Sequence, residues 1–241
     1  MTEALLTLSG VHTHIGRYHI LHGVDFDVPR GRTTMLLGRN GAGKTTTLRT
    51  IMGLWPASQG SIHFDGARID KAATPDIATS GVAYVPETMA IFSDLTVKEN
   101  LVLAARAGAP DERRLEWMFG FFPALRKFWL SRAGTLSGGQ KQMLSIARAI
   151  VEERKLLLID EPTKGLAPAI VSALIECLKE IARSGATILL VEQNFRVAQD
   201  VGDLVHVMDS GRIVHSGAMA DLAADDSLQK RLLGLSLDSH Q

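Results

Sequence analysis

The sequence predicts an α/β domain built on a parallel sheet covered on both faces. Short apolar runs at residues 82–85, 156–159 and 187–191 are of the kind buried on both sides of such a sheet. A long helical pattern at 169–183 separates the last two of them. The length of 241 residues, with 46% hydrophobic and 22% charged, suits one sizeable core. Strand, helix, strand repetition then implies parallel pairing with helices packed against it.

Taken in chain order, residues 5–8 and 24–28 read as strands of a half-exposed sheet, the start of an N-terminal antiparallel β subdomain. Pro29 to Gly31 turn the chain into a third strand at 33–37, and a helix begins at Lys44. A strand at 61–64 and another from Arg68 flank Asp65-Gly66, a dipeptide that accepts the positive φ angles of a tight hairpin. From 92 to 153 the alternation gives way to helical patterning. Thr96 and Glu99 have capping-box spacing, and 112–122 and 138–151 read as helices. We expect an inserted helical subdomain there, with residues 1–91 and 154–241 forming the core of one domain. The helix at 169–183 stops at Ser184-Gly185, where a left-handed cap fits. Residues 208–214 fold back at Asp209-Ser210-Gly211, and 220–233 read as a single terminal helix.

Composition excludes several classes. Lys plus Arg and Asp plus Glu number 26 each, so no summed field exists to hold nucleic acid. Cys177 is the one cysteine, which rules out an intrachain disulfide and a cysteine zinc site and reads as a small buried hydrophobe. The start at Met1, Thr2 and Glu3 lacks a basic segment before an apolar run, and no window approaches a membrane span; any membrane role is expected through a partner.

Three motifs carry chemistry. Gly38-Arg39-Asn40-Gly41-Ala42-Gly43-Lys44-Thr45 fits G-x-x-x-x-G-K-[ST] between a strand and a helix, the signature of a P-loop NTPase core. Its glycines let backbone N–H groups point at phosphate oxygens, Lys44 reaches the β and γ phosphates, and Thr45 offers a hydroxyl to Mg²⁺. At 155–161 an apolar run ends in Asp160-Glu161. Adjacent acids beside a hydrophobic strand are costly unless a cation or a reaction uses them. Asp160 is a candidate for holding Mg²⁺ through water, and Glu161 for deprotonating an attacking water. Alone, that string could end any strand. Third, Leu136-Ser137-Gly138-Gly139-Gln140 opens a helix with Ser137 as N-cap, a second anion-binding helix terminus.

In this order and spacing the three motifs resemble the ATPase subunit of an ABC transporter over nearly the whole chain. The resemblance implies a cofactor set of ATP and Mg²⁺, with ATP gripped by Gly38, Asn40, Gly41, Ala42, Gly43, Lys44, Thr45 and Thr46 of one subunit and by Ser137, Gly139 and Gln140 of its mate. It implies Thr45, Asp160 and the residue at position 87 as metal ligands, and Glu161 as catalytic base. Four positions depart from the general pattern. Ile15 stands where an aromatic stacks on adenine, with Tyr18 close by. Glu87 replaces a Gln and brings negative charge near the phosphates. Ala167, followed by Pro168, replaces the Asp of the dimer-crossing loop. Gln193 replaces a His that contacts the γ-phosphate; a Gln donates a hydrogen bond but takes up no proton.

Glu87, Gly165-Leu166-Ala167-Pro168 and Val191-Glu192-Gln193-Asn194 resemble the shorter ATPase of branched-chain amino-acid importers and of their urea and amide relatives. That resemblance implies a second ATPase subunit, in a heterodimer or a homodimer, two membrane permeases, an extracytoplasmic solute-binding protein reached indirectly, and a peripheral position at the cytoplasmic face of the cell membrane. An export or lipid-transport ATPase is the alternative of the same fold. An ATP-gated clamp on DNA or ribosomes would want paired ATPase cassettes or a long coiled-coil arm, plus a basic surface, and a GTPase an Asn-Lys-x-Asp string; the 241 residues of zero net charge offer none of these. His12, His14, His19 and His22 read as exposed strand residues. Trp117, Phe119, Phe121, Phe122, Phe128 and Trp129 read as subdomain core, part of which, with Met89, Ile91 and Phe92, is expected to form a groove for a permease helix.

Overall fold

The computed structural model describes residues 3–105 and 108–234. Its centre is a six-stranded sheet of β3 (Thr33–Leu37), β6 (Val82–Val85), β7 (Leu156–Asp160), β8 (Thr187–Val191), β9 (Leu204–Asp209) and β10 (Arg212–Ala218), in the order β10-β9-β3-β8-β7-β6. All pairs are parallel except β9 with β10. Every residue of β3, β7 and β8 is buried, which is why these strands read as unbroken apolar runs.

Successive side chains of these strands point to opposite faces, and the core divides accordingly. Leu37, Leu157, Ile159, Ile188 and Leu190 pack with the helices on one face. Leu36, Leu156, Leu158, Leu189 and Val191 pack on the other, against a four-stranded antiparallel sheet. That second sheet contains β1 (Ala4–Ile15), β2 (Tyr18–Pro29), β4 (Ala57–Phe64) and β5 (Ala67–Arg68), in the order β2-β1-β4-β5. A buried Leu or Ile side chain contributes about 1.5–3 kcal/mol, so each face alone carries a substantial core.

β1 and β2 run 12 residues each, far beyond the 5–8 and 24–28 expected. Gly10 and the histidines interrupt the apolar alternation, yet the pairing continues through a register shift between Leu8 and Val11, where Gly10 takes φ 56°. Both predicted hairpins form. Asp65 and Gly66 have φ 51° and 79°, and Ser210 and Gly211 have 46° and 74°, the two successive positive values a tight turn requires.

The helices are α1 (Lys44–Ile51), α2 (Thr74–Thr79), α3 (Val97–Ala104), α4 (Glu112–Phe121), α5 (Pro123–Lys127), α6 (Gly138–Ile150), α7 (Pro168–Arg183), α8 (Phe195–Val201), α9 (Met219–Ala224) and α10 (Asp226–Leu233). α3 to α6 fall between β6 and β7. Thr96 and Glu99 close a reciprocal capping box on α3, and Ser137 and Gln140 close another on α6. Phe119 and Phe122 are buried, with Trp117, Phe121, Phe128 and Trp129 packed against the same cluster.

One expectation is corrected. Residues 220–233 are not one helix: the chain leaves helical geometry at Asp225 (φ −115°, ψ 90°), whose carboxylate accepts the Leu228 N–H and starts α10 afresh. Cys177 is buried on α7 and its thiol is pushed up to about 12 by desolvation. Among the described residues no helix is long and apolar enough to cross a membrane.

Candidate active site

Strands β3, β8, β7 and β6 are neighbours in the sheet, so the segments leaving their carboxyl ends lie side by side. They carry the glycine-rich loop after β3, Gln193 after β8, Asp160 and Glu161 at the end of β7, and Glu87 after β6. The six-strand order alone therefore gathers residues scattered over some 150 positions of sequence.

The loop depends on glycine where it is most crowded. A Cβ on Gly38, which has φ 149°, would stand 2.2 Å from the Met208 carbonyl oxygen of β9. Behind the loop, the Gly211 N–H donates to the Ala42 carbonyl at 2.8 Å, and the His22 N–H to the Gly211 carbonyl at 2.9 Å. Gly43, at φ 109°, caps α1 without a side chain, leaving that helix end uncapped for an anion. Lys44 is 4% exposed and curls back to donate to the carbonyls of Gly38 (2.8 Å) and Arg39 (3.1 Å).

Asp160 is fully buried. The Thr45 hydroxyl donates to its Oδ1 at 3.2 Å and the Tyr84 hydroxyl to its Oδ2 at 3.4 Å. Desolvation pushes its carboxyl up to about 6; the Thr45 hydrogen bond opposes this, and the charges of Glu161 and Glu87 reinforce it. Tyr84 in turn is raised to about 12 by burial and by the Asp160 charge. A buried carboxylate bonded only to hydroxyls, beside a threonine oxygen, is a hard-oxygen donor pair that a divalent cation would relieve, so the residues present fit Mg²⁺.

Glu161 adopts φ 44°, a left-handed conformation costly for a non-glycine residue, and its N–H is tied to the Val191 carbonyl at 2.9 Å. Its side chain is 8% exposed and held from three directions. Gln193 Nε2 donates to Oε1 at 2.5 Å, Lys44 Nζ lies 3.6 Å from the same oxygen, and Lys164 Nζ lies 3.6 Å from Oε2. Gln193 Nε2 also donates to Asn40 Oδ1 at 2.7 Å, joining the glycine-rich loop to the acid. Glu87 pairs with Lys164 at 2.5 Å.

Three participants escaped the sequence reading: Tyr84, Lys164 and Glu192. Glu192 is buried and accepts from the Thr163 N–H and hydroxyl (3.1 and 2.6 Å) and from the N–H groups of Gln193 and Asn194 (3.1 and 3.2 Å). Burial raises its carboxyl against these four bonds. It rivets the segment after β7 to the segment after β8. The signal was present, since Glu192 ends an apolar strand just as Asp160-Glu161 do.

Other predicted residues lie apart. Among the described residues, Ser137 and Gln140 bond to each other, Ser137 N–H to Gln140 Oε1 at 2.9 Å and Gln140 N–H to Ser137 Oγ at 3.4 Å, and not to the residues around Lys44. Ser137 is exposed, and a Cβ on Gly139 would stand 3.1 Å from the Ile170 side chain, so glycine there lets α6 approach α7. Ile15 ends β1 opposite Tyr18, which is 68% exposed. Met89 and Ala90 line a cavity of about 320 Å³ with Tyr84, Ser145 and Arg148; Ser145 Oγ and the Arg148 guanidinium donate to their carbonyls. Phe92 is 49% exposed beneath that guanidinium. The four N-terminal histidines cluster around His19, which stacks on His12 and His14 and lies tilted against His22, with His12 Nδ1 and His19 Nε2 3.0 Å apart, but no group of three or more His, Cys, Asp or Glu among the described residues is arranged to hold a metal.

The model of the ABC transporter family matches residues 21–164. The high-affinity branched-chain amino acid transport ATP-binding protein BraG of Pseudomonas aeruginosa is 38% identical over 95% of this chain and 100% of its own length. A probable branched-chain amino acid transport ATP-binding protein, LivF, of Archaeoglobus fulgidus is 36% identical over 90% of this chain and 93% of its own. A solved ATP binding subunit of an ABC transporter superposes with a TM-score of 0.81 at 34% identity, covering 97% of this chain and 96% of that one.

Proposed function

Because the chain belongs to the ABC transporter family and hydrolyses ATP coupled to transport, we propose that it powers the import of branched-chain or other hydrophobic amino acids across the cytoplasmic membrane. The observation that carries the enzymatic part is the convergence of Lys44, Gln193 and Lys164 on the Glu161 carboxylate. The amino-acid part rests on the likeness to BraG and LivF over nearly the full chain.

In this reading Gly38, Asn40, Gly41, Ala42, Gly43, Lys44, Thr45 and Thr46 hold the triphosphate, and residues 92–153 act as the helical subdomain that offers Ser137, Gly139 and Gln140 to the nucleotide of a second subunit. Ile15 lies under the adenine. Thr45, Glu87 and, through water, Asp160 would hold Mg²⁺, which would supply charge neutralisation for the triphosphate. Glu161 takes a proton from water as the water oxygen bonds to the γ-phosphorus and the bond from that phosphorus to the bridging oxygen breaks, leaving ADP and phosphate. Gln193 has no basic nitrogen, so it orients Glu161 and the γ-phosphate without sharing the proton.

Transport follows from a population shift. ATP contacts both halves only in the closed dimer and so favours it; hydrolysis removes that preference. The partners are a second ATPase, in a heterodimer or homodimer, two permeases, one of which docks a helix on this chain beside Met89, Ile91 and Phe92, and a solute-binding protein outside. The chain then sits at the cytoplasmic face of the membrane.

Purification with the native membrane complex and measurement of ATPase stimulation by solute-loaded binding protein tests the reading. Leucine, isoleucine or valine is expected to raise turnover. Stimulation by urea or an amide alone, or outward transport in vesicles, would contradict it.

A further inference from the structure

Lys164 stands between two carboxylates on different segments. Its ammonium is 2.5 Å from Glu87 Oε1 and 3.6 Å from Glu161 Oε2. Glu87 leaves β6 on the path to Met89 and Ala90, whose carbonyls are held by Ser145 and Arg148 of α6; Glu161 begins the segment after β7. Lys164 itself turns back toward the acid, its N–H donating to the Glu161 carbonyl at 3.3 Å. The pair therefore joins the entry to the helical insertion to the segment carrying the acid. As a stability element an exposed pair, with side chains 58% and 39% accessible, contributes little.

Its consequence lies in charge. Three carboxylates, Glu87, Asp160 and Glu161, surround the place where a polyanion must enter, against two ammonium groups, Lys44 and Lys164. A glutamine at position 87 would bring no negative charge there and would need no counter-charge. We propose that Lys164 is a positioning residue of the ATPase reaction: it neutralises Glu87, so that this carboxylate does not repel the triphosphate, and it fixes the second oxygen of Glu161. The first half needs only that the chain binds ATP; the second rests on the reading of Glu161 as the base.

The test is a double-mutant cycle on the full chain, using Lys164→Met, Lys164→Arg, Glu87→Gln and the Glu87→Gln/Lys164→Met pair. Equilibrium affinity for a fluorescent ATP analogue is measured in EDTA and in magnesium, and kcat and KM in the assembled transporter. Lys164→Met is expected to weaken nucleotide binding about three- to tenfold when Glu87 is present and distinctly less in the Glu87→Gln background, where only its contact with Glu161 is left to lose, with Lys164→Arg restoring most of the affinity. An equal effect of Lys164→Met in both backgrounds, or none in either, would overturn the proposal. Failure of the Glu161 reading is separable: normal turnover in Glu161→Gln would refute the base while leaving the affinity cycle intact.

Discussion

Gln193 joins Glu161 to Asn40 through a single amide nitrogen, 2.5 Å from the Glu161 carboxylate and 2.7 Å from the Asn40 side-chain oxygen Oδ1. The acid at the end of β7 is thus oriented by a residue after β8 and referred to the glycine-rich loop after β3. Removing the amide frees both neighbours without removing a proton acceptor. Gln193→Ala is expected to lower kcat by about 10- to 100-fold while changing ATP affinity little, and Gln193→His to keep activity or raise it. Steady-state ATPase measurement on the assembled transporter reads both. Complete loss in the histidine variant would mean that position 193 does something else.

If Glu161 is the sole side-chain base, Glu161→Gln keeps the geometry and loses the proton acceptor. Turnover is expected to fall by roughly 10²- to 10⁴-fold with ATP still bound, and closed dimers with the partner ATPase are expected to accumulate on size-exclusion chromatography. Normal hydrolysis by this variant would move the base elsewhere.

Asp160 makes the nucleotide-free protein less stable than it could be. Its carboxyl is raised from 3.8 to about 6, so as pH rises between these values the unfolded chain ionises first and stability is lost. A shift of about two units corresponds to an effect on the order of 3 kcal/mol. Asp160→Asn keeps an acceptor for Thr45 and is expected to raise the unfolding free energy of the magnesium-free protein by roughly 1–3 kcal/mol at pH 7.5 and hardly at pH 3.5, while abolishing ATPase activity. Denaturant titrations at the two pH values check the difference; equal effects at both would refute it.

His206 works in the opposite direction. It is 8% exposed, with Nδ1 2.7 Å from Ser216 Oγ and Nε2 3.1 Å from the Asp27 carbonyl, an arrangement that satisfies a neutral ring with the proton on Nε2. Desolvation lowers its pKa below 6.5, partly offset by the Asp27 carbonyl bond. The folded value lies below the unfolded one, so this contribution is complete above about pH 6.5 and is lost as pH falls through the folded value. The decline in stability between pH 7.5 and 5 is expected to be smaller in His206→Gln than in the parent. An unchanged decline would show that His206 does not titrate this way.

Much of the architecture is legible in local chemistry. Fully buried strands such as β3 and β8 announce themselves as apolar runs, and the hairpins at Asp65-Gly66 and Ser210-Gly211 as residues tolerant of positive φ. What was missed depends on distant partners. β1 and β2 continue past their apolar stretches because the neighbouring strand supplies the hydrogen bonds. α2 and α8 are too short, at 6 and 7 residues, to show a helical period. The break before α10 was signalled by Asp225 as a cap inside an otherwise continuous pattern. At the site, the motifs identified Lys44, Asp160 and Glu161 as candidates and the family resemblance added Gln193, but Lys164 and Tyr84 acquire meaning only when strand order brings β6 beside β7.

Whether one nucleotide is clasped by two chains is read most directly from a structure of the Glu161→Gln protein in its assembled transporter with ATP and magnesium. The account predicts the Ser137 hydroxyl and the N–H groups that open α6 within hydrogen-bond distance of the γ-phosphate held by the other subunit's Lys44. Ser137 facing solvent, with every triphosphate contacted by one chain only, would contradict it.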